Sequence, residues 1–119
     1  MSGFLHLSDF HLVEDETASS RTFNAKYILE NTVDKILGKK EDFGNLDGVI
    51  ITGDISDDGS AVSYSDAYDI LKELNLPLLA IPGNHDLRQP MMNYFAKDID
   101  VQSSGFFDWV YETSDTLII

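Results

Sequence analysis

The sequence predicts an α/β fold on a parallel sheet, because short apolar runs alternate with amphipathic helical segments. The apolar runs cover residues 3–8, 47–52 and 78–81, and the helical segments between them cover 21–37 and 60–75. Strand, helix, strand, helix, strand in this order is typical of a parallel βαβαβ unit with right-handed crossovers. The carboxyl ends of the three strands should therefore meet at one edge of the sheet.

The three strands are predicted from their apolar and β-branched residues. In the first strand only His6 interrupts the apolar run, which predicts burial on both faces and a buried histidine hydrogen-bonded to backbone. The second strand is rich in β-branched residues and ends at Gly53. The third strand is followed by Pro82 and Gly83, which turn the chain.

The two helices are predicted from apolar residues that recur every three or four positions. These are Ala25, Leu29, Val33, Ile36 and Leu37 in the first helix and Tyr64, Ala67, Tyr68, Leu71 and Leu74 in the second. Both tyrosines are thus predicted core residues. Gly38 is predicted to cap the C-terminus of the first helix, and Asp57 and Asp58 are predicted to cap the N-terminus of the second.

The last third of the chain is less regular. A short helix is predicted near 90–97, and Phe106, Phe107, Trp109 and Tyr111 indicate a fourth strand. Residues 116–119 indicate the start of a fifth strand. The absence of an internal repeat, a low-complexity segment or a linker predicts one domain.

Composition excludes several classes of protein. The 119 residues include 21 Asp and Glu against 8 Lys and Arg, a net charge of -13, which argues against binding a nucleic-acid polymer or an anionic membrane. Glu14, Asp15 and Glu16 are interpreted as surface charges. There is no cysteine, so neither a disulfide nor a thiolate zinc site can form. No apolar run approaches the ~18 residues of a membrane span and no signal segment begins the chain, so a cytoplasmic protein is expected.

Metal-binding residue types follow each predicted strand. Asp9 and His11 are two residues apart, so in an extended segment both side chains point the same way and can share one ion. Asp54 brings a carboxylate from the neighbouring strand that can bridge two cations ~3.5–4 Å apart. Asn84 adds a neutral oxygen for the second cation. This donor set suits two divalent ions such as Mn, Fe or Zn without selecting among them.

The residues after Asn84 are predicted to act on the substrate. His85 is placed to contact a leaving oxygen as general acid or electrostatic stabiliser, with Asp86 orienting its other nitrogen. Arg88 either grips a substrate phosphate or pairs with one of the many acids, and both alternatives stay open. The candidate catalytic residues are therefore His85 and Asp86, and the candidate substrate contacts are Asn84, His85 and Arg88.

The motifs Asp-x-His, Gly-Asp and Gly-Asn-His-Asp, in this order, resemble the calcineurin-like metallophosphoesterase superfamily. Segments 53–59 and 82–88 are similar to its class III cyclic-nucleotide phosphodiesterase branch, in which an arginine commonly follows the last motif. The resemblance implies hydrolysis of a small-molecule phosphodiester by two metals and a bridging hydroxide. The substrate that it favours is a 3′,5′-cyclic nucleotide. Glycerophosphodiesterases are similar in layout and remain the alternative.

The resemblance also implies a role for each ligand. Asp9 and His11 would bind the first metal, Asp54 would bridge, Asn84 would bind the second metal, and His85 would act on the leaving group.

The chain departs from the family pattern in its C-terminal part. Family members supply three further histidines there and close a four-layer αββα sandwich, whereas this sequence contains only His6, His11 and His85. Residues 1–119 are therefore expected to form the N-terminal half of one phosphoesterase domain, without its C-terminal half. Two alternatives stay open for the chain itself: an enzyme, or a non-catalytic fragment or interaction module that forms a homo-oligomer through its unfinished sheet edge.

Overall fold

The computed structural model describes residues 3–18, 21–97 and 109–118. Its strands are β1 (Phe4–Leu7), β2 (Gly48–Ile51), β3 (Leu78–Ala80), β4 (Tyr111–Glu112) and β5 (Leu117–Ile118), and its α-helices are α1 (Ala25–Gly38), α2 (Ala61–Leu71) and α3 (Arg88–Phe95). Helices α1 and α2 connect successive strands of one sheet. The predicted parallel α/β unit is confirmed.

The first three strands form a parallel sheet in the order β1, β2, β3. Leu5 lies opposite Val49, and Val49 lies opposite Leu78. Val49 and Ile51 of the central strand are fully buried, because helices pack against the sheet there. The parallel arrangement brings the carboxyl ends of all three strands to one edge.

The prediction that β1 is buried on both faces is wrong. β1 is one of the two edge strands of this sheet, and His6 is exposed. The Nε2 atom of His6 hydrogen-bonds the Thr52 hydroxyl at 2.8 Å rather than a backbone group. The other edge strand, β3, is buried, so an apolar run leads to burial at an edge only where other elements cover the strand.

Helix α1 begins at Ala25, four residues after the predicted start of the segment at residue 21. Asn24 is its N-cap and accepts a hydrogen bond from the Tyr27 N–H at 3.0 Å. The Glu16 carboxylate accepts from the Ala25 N–H at 3.1 Å and so satisfies another of the unpaired amides in the first turn. At the other end Gly38 is the last helical residue, and the cap is Lys39 rather than Gly38.

The N-cap of α2 is Ser60, so the capping role predicted for Asp57 and Asp58 is wrong. The Ser60 side chain accepts from the Ser63 N–H at 3.2 Å. Asp58 instead accepts from the Ser60 N–H at 3.0 Å, and Asp57 belongs to a different network described below. Tyr64 is fully buried and Tyr68 packs against the core, which confirms the core assignment of both tyrosines.

The described C-terminal residues form a small hairpin. Strands β4 and β5 are antiparallel, with Tyr111 opposite Ile118. Trp109 precedes the hairpin, is nearly buried, and donates its indole N–H to the Ala80 carbonyl at 2.7 Å. The predicted fourth strand is therefore present only from Tyr111, and the part assigned to Phe106 and Phe107 lies outside the described residues. The longest described helix has 14 residues, and no described helix is long and apolar enough to cross a membrane.

Candidate metal centre

The chain segments that follow β1 and β2 remain paired beyond the ends of the strands. Four backbone hydrogen bonds join them: Asp9 N–H to Gly53 O at 3.0 Å, His11 N–H to Asp54 O at 3.0 Å, Leu12 N–H to Ile55 O at 2.9 Å and Asp57 N–H to Leu12 O at 2.9 Å. The last two make Leu12 and Ser56 a parallel bridge. This pairing holds the two ligand-bearing loops side by side at the carboxyl edge of the sheet.

Asp9, His11 and Asp54 come together at this edge. One ligand atom from each lies within 4.8 Å of the others. The Nε2 atom of His11 is 3.6 Å from Asp9 Oδ1. Asp9 is exposed, whereas His11 and Asp54 are half-buried. Two carboxylates and one imidazole converging in this way fit a divalent cation that takes mixed oxygen and nitrogen ligands.

The backbone at the three clustered residues is unusual. Among the described residues, four that are not glycine have a positive φ: Asp9 at 62°, His11 at 55°, Asp54 at 53° and Asn75 at 54°. Such conformations cost energy for residues with a Cβ and concentrate at functional sites. Asp9 and His11 do lie in one cluster, but the predicted extended backbone between them is wrong.

The loops after β2 and β3 approach each other closely through two glycines. A Cβ on Gly53, whose φ is 102°, would lie 2.6 Å from the Cα of Gly83. A Cβ on Gly83 would collide with the Asp54 carboxylate and lie 2.5 Å from the Asp54 nitrogen. Only glycine at both positions allows the third loop to reach the Asp54 carboxylate.

This approach places Asn84 and His85 beside the cluster. The His85 N–H donates to Asp54 Oδ1 at 3.1 Å, and Asn84 lies between that contact and Gly83. The His11 and His85 rings meet edge to face, with centroids 5.8 Å apart. Asn84 and His85 are both exposed, so their side chains are accessible to a ligand.

His11 is braced by a network that the sequence did not reveal. Its Nδ1 contacts Asp57 Oδ1 at 2.5 Å, and Asp57 Oδ2 accepts from Arg21 at 2.9 Å. Arg21 also donates to the His11 carbonyl, and its other terminal nitrogen donates to both oxygens of Glu16 at 2.9 Å. A hydrogen bond on one nitrogen fixes the tautomer and orients the ring, so Nε2 is left for a cation.

Glu16 is not the surface charge that the sequence suggested, since its side chain is 15% exposed and paired with Arg21. Nothing in the local sequence marked Asp57, Arg21 or Glu16 as members of this network.

Asp86 takes a different position from the one predicted for a residue that orients His85. Its carboxylate accepts from Gly83 N–H at 2.9 Å, Ser56 N–H at 3.0 Å, Tyr64 O–H at 3.0 Å and Ile55 N–H at 3.3 Å. Burial raises the pKa of the Tyr64 phenol, and the nearby Asp86 charge adds to this, so the phenol stays a neutral donor. Asp86 thus joins α2 to the loops after β2 and β3.

Asp58 ties the loop after β2 to the loop after β1. Burial opposes its ionised form, but hydrogen bonds from the Glu14 and Ser60 amides and from the Ser60 and Ser56 hydroxyls outweigh that effect and lower its pKa to about 2. The carboxylate is therefore ionised at neutral pH and holds both loops. Arg88 is the first residue of α3 and is exposed, and its predicted contact with a substrate phosphate stays a prediction.

A parallel α/β unit with Asp-x-His, Asp and Asn-His groups at successive strand ends is the arrangement that the resemblance to the metallophosphoesterases implies. The profile of the calcineurin-like phosphoesterases matches residues 3–118, and the chain belongs to this family.

Several curated relatives are similar to the chain. It is 33% identical over 87 residues to the 3′,5′-cyclic adenosine monophosphate phosphodiesterase CpdA of Pseudomonas aeruginosa. The matched region covers 73% of this chain and 31% of that protein. It is 33% identical over 91 residues to the protein of that name from Haemophilus influenzae, covering 76% and 32%. A probable cyclic nucleotide phosphodiesterase of Vesicomyosocius okutanii is 30% identical over 95 residues, covering 80% and 38%. The matched region spans about a third of the length of these relatives.

Proposed function

We propose that this protein contributes to the hydrolysis of a 3′,5′-cyclic nucleotide by a centre with two divalent cations. The observation that carries the proposal is the convergence of Asp9, His11 and Asp54 within 4.8 Å, with the backbone of His85 bonded to Asp54. The names of the similar proteins favour a cyclic nucleotide over other phosphodiesters. A glycerophosphodiester remains the competing substrate.

The residues present fit the cations that this family uses. Asp9 and His11 would hold one cation, Asp54 would be shared, and Asn84 would contribute to the second. Mn, Fe and Zn all accept such mixed ligands. When bound, these cations supply charge stabilisation to the phosphoryl oxygens and activate water.

The chain's own groups would then position the substrate and move protons. His85 is exposed beside His11, where its ring can donate a hydrogen bond to the leaving oxygen. Asp86 acts on this chemistry indirectly, since it fixes the loop that carries Asn84 and His85. A cytoplasmic location and self-association are further proposals, and no described contact bears on either.

Metal binding is the first test. Isothermal titration of the 119-residue chain with Mn²⁺ should show binding that Asp54→Ala abolishes, because the substitution removes the carboxylate shared by the cluster. Asp69→Ala is the matched control, since Asp69 is an exposed acid on α2 whose partner is Lys72. Equal Mn²⁺ affinity in wild type and Asp54→Ala would contradict the proposed centre.

Hydrolysis is the second test. Cyclic AMP and glycerophosphocholine are compared as substrates for the 119-residue chain and for any longer chain that contains it. Wherever cyclic AMP is hydrolysed, His85→Ala should lower kcat by about 10²–10⁴-fold, the usual contribution of a positioned acid, while Mn²⁺ affinity is retained. Faster hydrolysis of glycerophosphocholine than of cyclic AMP would mean that the substrate is a glycerophosphodiester and not a cyclic nucleotide.

A further inference from the structure

A cavity of about 360 Å³ opens beside the metal centre, between the end of β1 and α1. Asp9 and His11 form part of its wall. The remaining wall is mainly apolar and includes Phe10, Phe23, Ala25, Ile28 and Leu29. The cavity therefore has a charged end that belongs to the metal cluster and an apolar body that does not.

The size and surface of the cavity suit a small molecule. Small-molecule sites have volumes of about 300–1,000 Å³ and combine apolar walls with a few polar groups. Phe23 is 46% exposed and Ile28 is 52% exposed, so two large apolar side chains on this wall remain accessible to solvent. An apolar group that entered here would cover both side chains.

The Phe23 ring is held by the same network that braces His11. The Arg21 guanidinium lies 4.6 Å from the centroid of the ring. Arg21 is in turn fixed by Asp57 and Glu16. Arg21 thus contacts both the aromatic wall and the network around His11.

We propose that this cavity is the subsite for the planar base of a nucleotide substrate, which stacks on Phe23 and contacts Ile28 while the phosphate lies at the metal centre. The inference rests on the proposed phosphodiesterase function. It adds the part of the substrate, the base, that the protein would recognise. Base stacking on an aromatic side chain tolerates different bases. A glycerophosphodiester has no planar group to fill the apolar body, so the cavity favours nucleotides over glycerophosphodiesters.

The test uses nuclear magnetic resonance on the metal-free, ¹⁵N-labelled 119-residue chain. Adenosine should shift the backbone amide signals of residues 23–32, and ribose 5-phosphate, which lacks the base, should not. Phe23→Ala should weaken adenosine binding by about tenfold, a typical loss for one stacked base. Phe23→Leu, which keeps apolar volume without a ring, should fall between wild type and Phe23→Ala.

Two further variants keep the test decisive. Ile28→Ala should also weaken adenosine binding, and it provides the result if circular dichroism shows that Phe23→Ala does not fold. Phe43→Ala is the control, because Phe43 is 42% exposed but lies in the short 3₁₀ turn Lys40–Phe43, away from the cavity wall. Its affinity for adenosine should equal that of wild type.

The inference is overturned if adenosine does not bind, if ribose 5-phosphate causes the same shifts, or if Phe23→Ala and Ile28→Ala both bind adenosine as wild type does. The metal centre is separable from this result through Asp54→Ala, which should lose Mn²⁺ but retain adenosine. If the wild-type chain binds Mn²⁺ but not adenosine, only the base subsite is contradicted. If Asp54→Ala binds Mn²⁺ as wild type does, the proposed metal centre is contradicted.

Discussion

His11 has two ring nitrogens with different surroundings. Its Nδ1 is 2.5 Å from Asp57, and its Nε2 faces Asp9 at 3.6 Å. Residues that hold the far nitrogen of a metal-binding histidine fix the tautomer that the metal requires and set the direction of the ring. Asp57 therefore supports the cluster without being placed among its ligands.

Replacing Asp57 by Asn should weaken Mn²⁺ binding by about 10–100-fold, the usual loss when such a supporting group is changed. The amide keeps the size of the carboxylate but removes the charge that fixes both His11 and Arg21. Isothermal titration measures the change in Mn²⁺ affinity. Asp69→Asn is the control, because it makes the same chemical change at an exposed residue of α2. Unchanged Mn²⁺ affinity in Asp57→Asn would show that His11 does not need this support.

The clustered ligands could be predicted from the sequence, whereas their supports could not. Asp9, His11 and Asp54 each follow an apolar run, and a parallel sheet brings such positions together. Asp57 was predicted to cap α2 and Glu16 to be a surface charge, because local sequence does not tell such a carboxylate from one paired across the fold. The positive φ at the ligands was equally hidden, since Asp and His adopt several backbone conformations.

At the level of elements, the site depends on how closely the loops after β2 and β3 meet. The Gly53–Gly83 contact lets the third loop lie against the Asp54 carboxylate. Asp86 and Tyr64 then bond this loop to α2. The glycines permit the approach, and the hydrogen bonds hold it.

Gly83→Ala should destabilise the protein by about 1–3 kcal/mol, the usual cost of forcing extra volume into a packed site. The added Cβ would collide with the Asp54 carboxylate and backbone. Gly38→Ala is the matched control: nothing lies within 4 Å of a Cβ there, so a helical alanine should stabilise by roughly 0.5–1 kcal/mol. Urea unfolding monitored by circular dichroism measures both changes.

The two substitutions should shift the unfolding midpoint in opposite directions. A Gly83→Ala protein as stable as wild type would mean that the loops separate without cost, and the described contact would not be needed for the fold.

The type and order of the elements were predictable, but their ends were not. β2 and β3 end at Ile51 and Ala80, one residue before the ends of the apolar runs 47–52 and 78–81. The start of α1 depends on Asn24 as N-cap and on Glu16 bonding the Ala25 amide, a contact from outside the helix. The exposure of His6 depends on which elements cover the edge strand β1, and periodicity within one strand cannot reveal that.

At the scale of the whole molecule, negative charge dominates. The chain carries 21 acidic and 8 basic residues. Arg21, Lys26 and Lys72 pair with Glu16, Asp57, Asp66 and Asp69. The excess of acids over basic residues still leaves net repulsion in the compact state, to which the clustered carboxylates of Asp9 and Asp54 contribute.

The metal-free protein should therefore become more stable as NaCl is raised from about 0.01 M to about 0.15 M, because the screening length falls from about 30 Å to about 8 Å. Self-repulsion of a highly charged chain opposes folding, and screening relieves it. Urea unfolding at pH 7 with a chelator present measures the gain. Asp54→Ala should respond to NaCl nearly as wild type does, since the repulsion is spread over the molecule and not confined to the cluster. A stability that falls with NaCl would instead mean that attractive ion pairs, such as those of Arg21, outweigh the net charge of -13.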